Sequence, residues 1–240
     1  MKIAVLFTGI LRTDLKETIQ NISFVCNNFK GHDVKSYFVT WTLPDNVATA
    51  IKNNVDFFHM DDEPPVDWVV KNVPSCGSDR NKSKNPTSAG SYLNIYYMLK
   101  CRQMAMRHLE EVKEFVPDYV LLLRNDAVLH IKNLSGWIND MYNTANSRAS
   151  RRREGKNFSF GTNQINDHFG FASYKVMHDA LIQDDEFIKN IISKSFNAEN
   201  AVFNLVKSTK AKIKRHNMLF AEYYLLEGIN GNHHVYREDD

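Results

Sequence analysis

An α/β fold with a mostly parallel central sheet flanked by helices is what this sequence predicts, and three observations carry it. Ile3 to Phe7, Asp33 to Thr40 and Tyr119 to Leu123 are short runs of strand formers. The first and last, IAVLF and YVLLL, are apolar without interruption, as strands covered on both faces are. Between the runs lie longer segments whose apolar residues recur at helical spacing. At 240 residues the chain holds one sizeable domain with its own core, read here as a single unit with halves 1–130 and 131–240.

The first strand is followed at once by Thr8 and Gly9, and glycine there permits a tight turn and close approach by a ligand. Leu15, Ile19, Ile22 and Val25, with Phe29 one turn on, predict a helix to about Asn28 that ends near Gly31. Arg12 then sits in the turn between strand and helix. The order strand, TGxxR, helix has the form of a diphosphate-binding opening, without the GxGxxG of a dinucleotide site or the GxxxxGK of a P-loop. The second strand, Asp33 to Thr40, ends in Thr40-Trp41-Thr42, and Pro44-Asp45 opens a helix to about Asn53. Trp41 has two readings: it stacks on a base or lines a pocket, or it packs between sheet and helix. Val55 to Met60 predicts a third strand, followed by Asp61-Asp62-Glu63. A carboxylate in that position binds ribose hydroxyls in dinucleotide sites. The other reading, favoured for Asp62 and Glu63, is an exposed acidic turn before Pro64-Pro65.

Residues 64–90 are the least regular stretch, and Arg80, Lys82 and Lys84 in it either close over a diphosphate or belong to an ordinary polar loop. Ser91 to Phe115 is the longest helical pattern, and its tyrosines and methionines read as core. It leads into Tyr119 to Leu123, the strand around which the rest is organised. Arg124, Asn125 and Asp126 follow it. Ligands of open α/β sheets bind beyond the carboxyl ends of the strands, where a cation and a carboxylate are placed to hold phosphates and a divalent metal. Alternatively Arg124 and Asp126 pair with each other.

Farther on, Leu134 to Tyr142 predicts a helix and Asn157 to Gly161 a short strand. Asn166-Asp167-His168 precede an aromatic strand, Phe169 to Ser173. Asp167 has the chemistry of a general base, with His168 to orient it, bind phosphate or bind metal; a turn aspartate beside a satisfied histidine is the other reading. Glu199 lies in the first turn of a predicted helix, where it complements the helix dipole or presents a carboxylate to a substrate. The tail, 212–237, contains a predicted edge strand and His233-His234.

Basic and acidic side chains number 30 and 28, so no global charge points to nucleic acid or an anionic membrane. The basic cluster Arg148, Arg151, Arg152, Arg153 and Lys156 is local: a solvated loop, or a patch for an anionic partner. Cys26, Cys76 and Cys101 are far apart and odd in number, which suggests neither a disulfide framework nor a zinc site and fits a reducing compartment. The amino terminus is interrupted by Arg12 and Asp14 too early for a signal peptide, and no apolar run approaches the length of a membrane span. A cytoplasmic location is expected.

Taken together, Thr8-Gly9-Ile10-Leu11-Arg12, Thr40-Trp41, the strand with Arg124-Asn125-Asp126, and Asn166-Asp167-His168-Phe169-Gly170-Phe171 make the chain resemble the nucleotide-sugar-dependent glycosyltransferases of the Rossmann-like GT-A fold, specifically small bacterial and viral polysaccharide-type enzymes. The resemblance covers roughly residues 1–205, and order and spacing carry it more than any single piece. It implies that Thr8, Gly9 and Arg12 touch the nucleotide and diphosphate, with Thr40, Trp41 and Asp61 completing the donor site. Asp126 would hold ribose or an Mn²⁺ or Mg²⁺ ion bridging the phosphates, and Arg124 would neutralise them. The first half would bind the nucleotide sugar, a UDP-sugar being favoured, and the smaller second half would face a glycan or glycoconjugate acceptor. For an inverting enzyme Asp167 is the first choice of base and Glu199 the second. The sequence departs from the D-x-D pattern of such enzymes, because Arg124 stands where the first aspartate would be. Two other classes are carried alongside: a non-catalytic nucleotide- or glycan-binding module, and a nucleotidyltransferase, for which TGILRTD lacks the glycine-rich, lysine-bearing loop.

Overall fold

The computed structural model describes residues 1–74, 92–135, 142–145, 168–195, 197–216 and 221–225. The elements run β1 (Lys2–Thr8), α1 (Leu15–Asn27), β2 (Asp33–Trp41), α2 (Asp45–Lys52), β3 (Phe57–Asp61), α3 (Val66–Asn72), α4 (Tyr92–Glu111), β4 (Tyr119–Arg124), β5 (Ala127–Ile131), β6 (Tyr142–Ala145), β7 (Phe169–Ser173), α5 (Tyr174–Leu181), α6 (Asp185–Ser193), α7 (Ala198–Ser208), β8 (Ile213–His216) and β9 (Ala221–Leu225). The fold is α/β. A mixed sheet in the order β3-β2-β1-β4-β7-β6-β8 is parallel through its first four strands, and β7 runs antiparallel to β4 and β6.

Strand alternation divides the core in two. Ile3, Val5, Phe7, Phe38, Leu121, Leu123, Phe169 and Phe171 point to the face covered by α1 and α2. Ala4, Leu6, Tyr37, Val39, Val120, Leu122 and Ala172 point to the face covered by α4 and the later helices. Both faces are apolar because both are covered, which is why the strands read as continuous runs. The same alternation fixes the last residue of each strand: Thr8, Trp41, Asp61 and Arg124 continue the α4 side. Thr8 and Arg124 lie level, both in register with Val39, and Trp41 and Asp61 form a second level two residues farther along β2.

The chain winds from β1 outward to β2 and β3, then α4 carries it back across β1 to β4 on the other side. The crevice at the carboxyl ends of β1 and β4 is therefore the topological switch point, where open α/β sheets take their ligands.

Several expectations are corrected. The start of the irregular stretch at 64–90 is the helix α3: Pro65 stands at its N-cap position with Val69 and Val73 buried, and proline at a helix start costs no hydrogen bond. At the two ends of the helix expected over 134–142, Leu134 and Ser135 form a bend and turn, with Ser135 Oγ donating to Asn133 Oδ1 at 2.8 Å, and Tyr142 opens a strand; residues 136–141 lie outside the described residues. Short polar side chains that bond locally compete with helix formation. β5 was not foreseen. It pairs with β9 on one side, while on the other Asn21 of α1 and Asn28 at the C-cap of that helix bind it: Asn21 Nδ2 donates to Ala127 O at 2.9 Å and Asn28 Nδ2 to Leu129 O at 2.8 Å. Arg80, Lys82, Lys84, the basic cluster 148–156, the predicted strand 157–161, Cys76 and His233-His234 lie outside the described residues. Among the described residues no helix is long and apolar enough to cross a membrane.

Candidate functional site

At the switch point the turn after β1 is fixed from all sides. Gly9 has φ +107°, a conformation that favours glycine. Its N–H donates to Val39 O at 3.3 Å and to Cys101 Sγ at 3.2 Å, and its carbonyl accepts from Thr40 Oγ1 at 2.9 Å. Asn125 Nδ2 donates to Gly9 O at 2.8 Å and to Ile10 O at 2.9 Å, while its backbone N–H reaches Thr8 O at 3.2 Å. Asn21 Nδ2 in turn donates to Asn125 O at 3.2 Å. Thr8 Oγ1 donates to Leu123 O at 3.3 Å. Thr8, Gly9 and Thr40 thus use their donors to build the turn.

Arg124 donates from Nε and Nη2 to Asp126 Oδ1 and Oδ2 at 2.5 and 2.8 Å, a bidentate pair across the turn after β4. Asp126 is only 2% exposed. Burial pushes its carboxyl upward, but the charge and hydrogen bonds of Arg124, with Arg12 and His168 nearby, outweigh burial and hold it below the usual carboxylate range. Arg124 N–H also donates to His168 O at 2.7 Å, which brings the start of β7 against the pair.

Two cavities adjoin here and share Trp41 as a wall. The first, about 430 Å³ including its open mouth, is lined by Thr8, Gly9, Arg12 and Arg124 from the sheet side and by Arg102 and Asn94 from α4, among others. It holds three arginines and no acidic residue among its described lining residues. The second, about 740 Å³ including its mouth, runs along α4 beside the edge strand β3; Asp61, Asp62, His59, Lys100 and Arg107 line it. The rings of His59 and His108 stack at 4.9 Å, and burial followed by the neighbouring His59 holds His108 below its ordinary value despite Glu111 3.5 Å away. Trp41 meets Tyr97 edge to face at 6.2 Å. It is 7% exposed, and its indole N–H finds no acceptor among the described residues.

Both readings of Trp41 are therefore met in part, since it packs against α4 and lines the cavities. Of the expected donor-site residues, Thr8, Gly9, Arg12, Trp41 and Arg124 line the first cavity and Asp61 the second; Thr40 is buried beneath the Gly9 turn. Asp62, read as an exposed turn, also lines the second cavity, with Oδ1 accepting from Thr42 Oγ1 at 2.8 Å. Glu199 sits in the first turn of α7 beside its cap Asn197 and lines neither cavity. Asp167 lies outside the described residues.

Arg102, Asn125 and Cys101 were missed. A signal for Arg102 was present: Asn94, Met98 and Arg102 recur every four residues on α4 and all face the first cavity. Lys100, Gln103, Met104 and Arg107 form a second stripe along the other. Asn125 carried no such signal, because its role is to bind backbone far away in sequence.

The donor set for a metal is poor. Both oxygens of Asp126 are engaged by Arg124, and among the described residues no three His, Cys, Asp or Glu side chains are grouped to hold an ion. No protein-family model and no curated protein matches the chain.

Proposed function

We propose that the protein is a glycosyltransferase that moves a sugar from a nucleoside-diphosphate sugar, a UDP-sugar being favoured, to a glycan or glycoconjugate acceptor. The observation that supports it most is a pair of adjoining cavities: one at the switch point, lined by three arginines, the other beside β3, lined by carboxylates and aromatic rings together with Lys100 and Arg107, with Trp41 between them. A nucleoside diphosphate has the complementary layout, with anionic phosphates at one end and ribose hydroxyls and a flat base at the other. Arg12 and Arg124 would hold the phosphates, Asp61 and Asp62 the ribose, and Trp41 the base.

In the reaction the acceptor oxygen forms a bond to the anomeric carbon while the bond from that carbon to the diphosphate oxygen breaks. The diphosphate leaves with the electron pair, and fixed cations stabilise the charge that develops on it. The acceptor proton passes to a carboxylate base, for which Asp167 and then Glu199 are our candidates in an inverting enzyme. The residue that would hold Mn²⁺ or Mg²⁺ is Asp126; its carboxylate is committed to Arg124, so no step is assigned to a metal. The second half would form the acceptor side. A cytoplasmic setting agrees with Cys26 and Cys101 as free thiols.

A binding module without turnover is the second reading. It is favoured by one observation, that no carboxylate is among the described lining residues of the cationic cavity. Isothermal titration with UDP and GDP, followed by assays for release of UDP from UDP-sugars with and without glycan acceptors, separates the two. Micromolar nucleotide binding with sugar release supports the transferase; binding without release across the donors supports the module. Absence of binding by either nucleotide would sink the transferase and leave a glycan-binding module as the reading.

A further inference from the structure

Trp41 ends β2 and pairs in register with Asp61 at the end of β3, so the indole and that carboxylate stand side by side on the α4 face of the sheet. The indole belongs to the wall that the two cavities share, and its buried N–H finds no acceptor among the described residues. We propose that this N–H is the recognition donor for the nucleoside, meeting an uncharged acceptor of its base or sugar. The assignment rests on the nucleotide reading above and adds to it the atom that does the recognising.

A buried donor left unmet is destabilising, and native proteins rarely keep one. The groups around the indole are bonded elsewhere. Tyr97, which meets it edge to face at 6.2 Å, donates its hydroxyl to Pro64 O at 2.8 Å. Asp61 Oδ1 accepts from the N–H of Asp62 at 2.9 Å, and Asp62 Oδ1 from Thr42 Oγ1 at 2.8 Å. Lys100 is bonded to Asp185 at 2.7 Å and to Gln103 at 3.1 Å, while Arg107 stands about 15 Å farther along α4 than Tyr97. The near end of the second cavity therefore offers one unmet donor beside two carboxylates. A phosphate carries acceptors alone and is repelled by Asp61 and Asp62. A nucleoside fits both kinds of group, because its ribose hydroxyls donate to carboxylates while its carbonyl and sugar oxygens accept. Since the N–H is buried in the shared wall, the indole turns as the nucleoside enters, and Trp41 is a moving partition as well as a donor.

The test follows the indole N–H resonances of the full ¹⁵N-labelled chain during titration with UDP, with ribose phosphate and with inorganic pyrophosphate. The chain has three tryptophans, Trp41, Trp68 and Trp137, and the Trp41 signal is assigned by its loss in Trp41→Phe. The expected result is a large downfield shift of that signal with UDP and none with pyrophosphate. A like shift with ribose phosphate assigns the acceptor to the sugar; a shift with UDP alone assigns it to the base. Isothermal titration of Trp41→Phe, checked by thermal melting, should show UDP weakened roughly fivefold and pyrophosphate unchanged, as loss of one hydrogen bond to the nucleoside requires. Should that variant fail to fold, the titration of the parent still decides, since a purely structural indole would not move its resonance with ligand. UDP that binds while the Trp41 signal stays in place, or a signal that moves equally with pyrophosphate, overturns the proposal and leaves the nucleotide reading standing. A parent that does not bind UDP removes the nucleotide reading, and the proposal with it.

Discussion

Asn125 stands between the two charged residues that mark the strand end, and its work is to hold backbone. It bonds two carbonyls of the β1 turn through one amide, and its own carbonyl is held by Asn21. Asn125→Ala should cost about 2 kcal/mol, from two partly buried hydrogen bonds lost together, Gly9 O keeping its bond from Thr40 Oγ1. Denaturant midpoints at constant slope would measure it, and a loss within error of zero would refute the clamp. For Asp126 the sign of the pH dependence follows from its lowered value: the group contributes stability above its unfolded value near 3.8 and loses it as pH falls through the lower folded value. Asp126→Asn should destabilise by about 3–5 kcal/mol at pH 7, because Arg124 loses the carboxylate that spans it. The difference from the parent should shrink in acid below pH 4; a difference independent of pH would contradict the pairing. Arg124 and Asp126 were legible as residues of interest from their place after a buried strand. Their pairing with each other was one of the two readings and is what the structure holds; its bidentate geometry was not legible, because it depends on the turn that carries the chain from β4 into an unforeseen β5.

Helices place the remaining parts of the site. Asp14 caps α1, its carboxylate accepting from the N–H of Lys16 at 2.8 Å and of Glu17 at 3.4 Å, and so ends the turn that contains Arg12. Asp14→Ala should cost about 1 kcal/mol, measurable by thermal melting. α4 buries Leu93, Ile95, Leu99, Ala105, Met106 and Leu109 against the sheet and turns its two polar stripes toward the cavities. Cys101 lies on the sheet side, its thiol pushed up to about 12 by burial, so alkylating reagents should modify it only on unfolding. Rapid labelling of Cys101 in the native protein, located by mass spectrometry, would contradict that placement. The helix was legible from its period. Its division into core, arginine stripe and lysine stripe was not, because side chains of mixed character obscure the apolar face until the sheet beneath is known.

At the scale of the molecule, the parallel half was legible because a strand buried on both faces announces itself as an unbroken apolar run, and the site followed from the rule that ligands sit beyond the carboxyl ends. The antiparallel β7 was visible as a strand but not in direction, since Phe169, Phe171 and Ala172 are buried whichever way it runs. The tail strands β8 and β9 close separate sheets, a long-range choice that local pattern does not encode. The central claim is that a nucleoside diphosphate lies across the two cavities that share Trp41. The measurement that tests it most directly is a crystal structure with UDP. The account expects phosphates by Arg12 and Arg124, and the nucleoside on the Trp41 and Asp61 side. UDP bound elsewhere, or reversed with its base among the arginines, would contradict it.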